Sequence, residues 1–374
     1  MNKQTQQEPV WCFRRWSRRP WSAFAGMCRL KIGVLSVAMS IVLLATQVAG
    51  AQTVGTDSLS SYRTMHLDSV RVTAHHSAAT TTRIVVPQTR TLVDQKAIAP
   101  LQTVESALRL LPSVDVRERG GKSPQADIAI RGGSFDQTMV MLNGIDFSDA
   151  RTGHQSHSLP VDIDLVSDIS VVDVTSQPGA LSGALNFQTR PLSPRFLRAR
   201  LEGGAYGYGY GNLSGAFEAG DVQVLGAASF RRSDGYRHNT DFWNVNSYAR
   251  VMYDSPRAGY FDIQGGFQRR EWGSNGFYSL DYEEQFESTM TGLASVRWSK
   301  RWGAFTLNAM GSFRQNNDLF EMVRDNPDPA AGGVLFNRHT TYNTGGEIFG
   351  SYDWRRAGTT SLGVNYIRHR MFST

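Results

Sequence analysis

From Phe196 onward the chain breaks into segments of about ten residues in which apolar and polar side chains alternate, the length and period of strands crossing a bilayer in a barrel wall. Phe261, Ile263, Gly265 and Phe267 alternate with Asp262, Gln264 and Gln268, and Phe305, Leu307, Ala309 and Phe313 with Thr306, Asn308, Ser312 and Arg314. Strands of a soluble sandwich alternate too, so the links between segments decide. Ala219-Gly220-Asp221, Asp254 to Ala258, Ser299 to Trp302 and Trp354 to Gly358 are short. The links between them, Arg232 to Phe242, Trp272 to Phe286 and Gln315 to Thr340, are long, and only the first of that set, near Gly207 to Gly209, is tight. A sandwich has no reason to sort its links by parity, whereas a wall threaded from one side of a membrane does. Trp298, Trp302 and Trp354 fall at the short links and Tyr206, Tyr208 and Tyr210 at a link of the other side, the positions of two aromatic girdles. The expectation is an antiparallel transmembrane β-barrel wall of about nine strands, and because single-chain bacterial barrels close on even numbers from about 8 upward, an incomplete one, truncated here.

Charge and cysteine exclude other classes. The formal net charge of +6 suggests nucleic acid until it is located: seven of the 39 Lys and Arg, but only Glu8 of the 33 Asp and Glu, lie in residues 1–51, so the remainder is formally neutral. No nucleic-acid partner is expected. Cys12 and Cys28 both lie in that leader, which leaves the rest of the chain without disulfide or thiolate chemistry. Within it, Ile32 to Val48 is apolar, preceded by Arg29 and Lys31 and followed by Ala49-Gly50-Ala51, the order of a secretory signal peptide cleaved before Gln52. Ser36, Ser40 and Gln47 interrupt the run, which falls short of the ~20 residues of a spanning helix. A start at Met27 would give a leader of ordinary length, and Cys28, ahead of the apolar run, does not suit a lipid anchor.

Between leader and wall the patterning changes. Thr103 is placed to cap a helix whose Val104, Ala107, Leu108 and Leu111 share one face until Pro112 stops it. Ile128 and Ile130 alternate with Asp127 and Ala129 as in a strand with one buried face, and Arg131-Gly132-Gly133 makes a corner. Thr138 to Leu142 reads as the next strand, and Asn143-Gly144 as a two-residue hairpin turn into Ile145 to Phe147. Leu165 to Val174 and Ala184 to Thr189 read as closing strands. No metal signature, phosphate loop or nucleophile elbow is present, so neither an enzyme nor a cofactor is expected; His154 and His157 read as solvated loop histidines.

Leu111-Pro112-Ser113-Val114, the Arg131-Gly132-Gly133 corner and the Asn143-Gly144 hairpin, in this order, resemble the plug domain of TonB-dependent outer-membrane receptors. Leu67, Asp68, Ser69, Val70, Arg71, Val72 and Thr73 resemble the TonB box of Bacteroidetes-type receptors, a short β-prone segment that adds to the sheet edge of a partner. The resemblance implies an α+β plug domain followed by a wall of about twenty-two strands, divided as 1–51 signal peptide, 52–80 periplasmic tether, 81–190 plug and 191–374 first part of the barrel. It implies that Arg131 faces the wall and pairs with glutamates there, and that Asp146, Asp149, Arg151, His154 and His157, in the loop at the plug's outer apex, meet the ligand. The implied setting is the outer membrane of a Gram-negative cell, and the implied partners are its lipid, a TonB-type energy-coupling protein and a scarce nutrient of the corrinoid or ferric siderophore class. In Ser176 to Gly183 the sequence is shorter than the family's corner and lacks its tyrosine. A passive surface protein or pore is the competing reading, and a truncated receptor fragment without function the third.

Overall fold

The structure, a computed structural model, describes residues 89–92, 103–120, 125–149, 151, 158–172, 180–189, 195–278, 280–325 and 336–373. All of the described residues fall within one compact unit, Leu67–Thr374. The leader, the segment Leu67 to Thr73, His154 and His157 lie outside them.

The first part is an α+β plug. Its elements are β1 (Thr89–Leu92), α1 (Val104–Leu108), β2 (Val114–Arg119), β3 (Gln125–Ile130), β4 (Thr138–Leu142), β5 (Ile145–Asp146), β6 (Asp168–Val172) and β7 (Gly183–Gln188). Five strands form one sheet in the order β1-β6-β7-β4-β5, with β4 and β7 parallel, while β2 and β3 form a separate hairpin. Thr103 caps α1, its hydroxyl accepting from the Ser106 amide at 3.2 Å. The helix ends at Leu108, short of the expected face, because the residue before Pro112 is disfavoured in α geometry. The chain tightens instead into i→i+3 bonds from Leu110 to Ala107 and Leu111 to Leu108, and Leu111 is still buried. Asn143 and Gly144 take φ of +53° and +77° between the paired Leu142 and Ile145, the backbone that a two-residue type I′ turn requires. Asp127, expected on a polar face, is buried and holds Arg119 at 3.0 Å, so β3 is covered on both sides.

Nine strands follow: β8 (Arg195–Gly203), β9 (Gly209–Ala219), β10 (Val222–Ser233), β11 (Phe242–Ser255), β12 (Gly259–Gly273), β13 (Phe286–Trp302), β14 (Phe305–Glu321), β15 (Phe336–Asp353) and β16 (Thr359–Ser373). They form one antiparallel sheet in chain order, the incomplete barrel wall expected. Loop lengths sort by parity, so the sheet has a short-turn end and a long-loop end. Two links differ most from the sequence reading: Ser299 to Trp302 continue β13, and β14 and β15 extend into the supposed link Gln315 to Thr340, leaving only residues 322–335. Beyond the apolar band the outer face also carries polar residues, so apolar–polar alternation ceases while the backbone ladder and buried polar pairs such as Thr291 to Asn316, 2.8 Å, continue the sheet.

Alternation sets the two faces as expected. Asp262, Gln264 and Gln268 are buried on the inner face and Ile263 and Phe313 are exposed on the outer one. Tyr253, Phe261, Trp298, Trp302 and Phe305 make successive ring contacts of 5.9 to 6.4 Å across β11 to β14 at the short-turn end, an aromatic girdle. The tyrosines at the other end do not form its counterpart. Tyr206 is exposed, but Tyr208 and Tyr210 are buried, and Tyr210 shares the inner face with Asn212, Ser214 and Ala216. Ile263→Arg is expected to cost up to about 4 kcal/mol according to its depth in the bilayer, read as a lowered unfolding midpoint in lipid vesicles; an unchanged midpoint would remove the outer face from lipid.

Candidate functional site

The inner face of the sheet is closed by the plug, and the contact between them is the candidate site. Its apolar part is continuous: Val140, Leu142, Ile145, Phe147 and Ile163 of the plug share one cluster with Leu225, Tyr248 and Leu293 of the wall. Its polar part is fastened at three levels.

Nearest the short turns lies the Asn143-Gly144 turn. The Asn143 Nδ2 is 2.7 Å from Gln264 Oε1 and 3.0 Å from both the Tyr248 and Thr189 hydroxyls, and its Oδ1 accepts from Arg250 Nη1 at 2.8 Å and from the Thr189 amide at 2.9 Å. Arg250 is held in turn by Asp262 through two bonds of 2.8 and 2.7 Å, and its Nη1 also donates to the Thr189 carbonyl at 2.5 Å. A hairpin turn can take this place because its left-handed backbone projects a short amide side chain with both donor and acceptor.

The middle level is residues 158–164. Gln268 donates to the Leu159 carbonyl at 3.2 Å, and Arg270 donates to the Ser158 hydroxyl. Asp162 accepts from Asn246 at 3.0 Å and from Ser229. Asp164 accepts from the Tyr210 hydroxyl at 2.7 Å and lies 3.5 Å from Arg200. Burial raises the Tyr208 phenol above its ordinary value, against the pull of Arg231, so it remains a donor to Glu202 at 3.3 Å.

The third level is the apex loop. Arg314, fully buried, donates to the Phe147 carbonyl at 2.6 Å and lies 3.6 Å from Asp149. Asp149 also accepts from Asn316 at 3.0 Å, Arg151 pairs with Asp318 at 2.8 Å, and Asn343 donates to the Ser148 carbonyl at 2.6 Å. Asp146 turns back on its own loop, accepting from the Ser148 amide and hydroxyl at 2.8 and 2.6 Å. Asp149 and Arg151 thus dock the loop on the wall.

Arg131 lies exposed at the end of β3. The corner is made by its backbone, with φ of +52° at Arg131 and the Gly133 amide bonded to the Ile130 carbonyl at 2.9 Å. Gly133 admits no side chain, since a Cβ there would lie 2.5 Å from that of Ser182. Among the described residues no group of His, Cys, Asp and Glu side chains is placed to hold a metal ion, and no helix is long and apolar enough to cross a membrane. Sequence reasoning missed Arg250, Tyr248 and Arg270, and also the β2–β3 hairpin, whose Arg119 and Gln125 reach the loop between β12 and β13. The available signal was charge at inner-face positions of predicted membrane strands, which requires a partner from inside.

Each bond between plug and wall contributes a net of about 0.5–1.5 kcal/mol, and each is replaceable by water once the plug shifts.

Residues 82–186 match the family model of the TonB-dependent Receptor Plug Domain. No curated protein matches the chain. Among solved structures, the chain is similar to the copper transporter OprC, at 16% identity and a TM-score of 0.59, with 76% of this chain and 46% of that one covered. It is similar to the pyoverdine outer membrane receptor FpvA from Pseudomonas aeruginosa PAO1, at 14% identity and a TM-score of 0.56, covering 77% and 46%. The siderophore receptor PiuA from Acinetobacter baumannii matches at 13% identity and a TM-score of 0.55, covering 77% and 46%. The chain spans less than half the length of these three proteins. The match to the TonB-dependent receptor plug over residues 82–186 and the nine-stranded sheet that follows give the chain the fold seen in these solved receptors.

Proposed function

We propose that this protein serves energy-coupled uptake of a scarce nutrient across the outer membrane of a Gram-negative cell, without chemistry on the ligand. The observation that carries this reading is the polar fastening of the plug at Asn143, Asp162 and Asp149. A passive pore has no use for a plug, and a permanent stopper has no use for bonds that water can replace.

In this reading residues 1–51 direct export, 52–80 form a periplasmic tether, 81–190 the plug and 191–374 a lipid-facing wall. A TonB-type partner takes Leu67 to Thr73 as an added strand and pulls, main-chain hydrogen bonds giving the grip. The ligand is a corrinoid or ferric siderophore, met at the apex loop that carries His154 and His157 beyond Arg151. The similarity to two siderophore receptors and a copper transporter supports a metal-bearing nutrient. Deleting residues 67–73 is expected to abolish energy-dependent uptake while leaving surface expression intact. Uptake that survives the deletion and remains sensitive to an uncoupler would sink this reading.

A further inference from the structure

The long loops pack on one another around Asn239, which is buried in the loop between β10 and β11. Its Nδ2 donates to the Glu283 and Gln285 carbonyls at 2.9 and 2.7 Å, in the loop between β12 and β13. Its carbonyl accepts from the Asn275 amide at 3.2 Å, and its Oδ1 accepts at 3.1 Å from Arg324, in the loop after β14. Arg324 also grips Asp241 with two bonds of 2.6 and 3.0 Å, and its amide donates to the Glu284 carbonyl at 2.8 Å. One asparagine thereby joins three loops, with φ of +49°, a left-handed backbone in which asparagine is several-fold enriched.

The same body is tied to the plug. Tyr278, in the middle loop, presents an exposed ring edge but directs its hydroxyl inward, where Gln125 of β3 donates to it at 2.9 Å and it donates to Glu287 at 2.8 Å. Ser274 donates to the same Glu287 oxygen at 2.9 Å. From the plug side Arg119 donates to the Phe277 carbonyl, lies 5.5 Å from the centre of the Tyr278 ring, and is held by Asp127 at 3.0 Å.

We infer that residues 234–241, 274–278, 280–285 and 322–325 form a single lid whose position is set by the β2–β3 hairpin of the plug through Tyr278 and Arg119, so that lid and plug loosen together. Withdrawing the plug frees the lid from beneath, and a ligand that draws the lid inward presses on the hairpin. The purpose of this coupling rests on the uptake reading above; its test does not.

The test is amide hydrogen exchange on the full chain in detergent micelles, without ligand. Tyr278→Phe keeps the ring over Arg119 and removes the bonds to Gln125 and Glu287. Exchange about threefold to tenfold faster is expected in β2, β3 and those lid residues of all three loops, the loss of one or two bonds. Asn239→Ala is expected to speed exchange in the same segments and leave the β11 and β12 ladders unchanged. Faster exchange confined to residues 234–241 in Asn239→Ala, or a hairpin at the wild-type rate in Tyr278→Phe, would overturn the single lid. If uptake proves independent of residues 67–73 while these exchange results hold, the lid stands and the uptake reading falls.

Discussion

Arg250→Ala is expected to loosen the plug and to destabilise the protein by about 3 kcal/mol, the low end of what breaking a buried ion pair costs. Arg250 and Asp262 are both nearly inaccessible, and alanine takes the guanidinium from the carboxylate and from the Thr189 carbonyl, while Asn143 Oδ1 keeps its bond from the Thr189 amide. The low end applies because Arg297 lies directly across from Asp262 in the β12–β13 register and takes up part of the charge. The check is a pair of readings in detergent: the thermal midpoint of the whole protein, and the rate at which trypsin cuts the plug. Both should shift in Arg250→Ala. Arg250→Met combined with Asp262→Leu removes both charges and should recover most of the thermal midpoint, but not the protection of the plug, because the bonds to Asn143 and Thr189 stay lost. A plug as resistant in Arg250→Ala as in the wild type would mean that the Asn143 turn is not a fastening point.

The difference between those two readings parallels what could be read from the chain. Strand existence, inner and outer faces and the nine-strand count were legible because bilayer and lumen impose opposite demands on successive residues. Boundaries outside the bilayer were not, as β14 shows: Arg314 to Asp318 are polar on both faces, and nothing local separates such a strand from a loop. Tyr208 and Tyr210 were misassigned for a related reason. A tyrosine suits an aromatic girdle and equally suits a lumen that offers its hydroxyl a carboxylate, and only the parity of β9 separates the two. Asn143 was legible as a turn residue from its neighbour Gly144, yet its role as a hub was not, since the partners Tyr248, Arg250 and Gln264 lie more than a hundred residues away. The residues expected to meet ligand show the opposite limit. Asp149 and Arg151 have the mixed polarity of a binding loop, and the same mixture is what docking onto Arg314, Asn316 and Asp318 demands.

Gly266→Val is expected to weaken plug docking by about 1–3 kcal/mol, the cost of overpacking a close contact, without harming the wall. Gly266 lies on the inner face of β12 between Gln264 and Gln268, and a Cβ there would stand 2.4 Å from Cγ and 3.1 Å from Cβ of Pro160 in the plug. A proline ring has no rotamer by which to withdraw, so residues 158–162 must lift. The bonds on either side, from Gln268 to the Leu159 carbonyl and from Asn246 to Asp162, must then stretch with them. In the strand, the better fit of a β-branched residue than glycine offsets the one tight contact there, 3.2 Å from the same Cβ to the Ser247 carbonyl of β11. The two effects separate under urea in detergent, where the plug should come away at a lower concentration than in the wild type while the β-sheet signal of the wall persists unchanged. Adding Pro160→Gly removes the two colliding atoms of the plug and should return the midpoint toward the wild-type value. Loss of the plug at the same urea concentration in Gly266→Val and wild type would show that residues 158–162 ride on the wall without holding the plug, leaving the Asn143 turn and the apex loop as its fastenings.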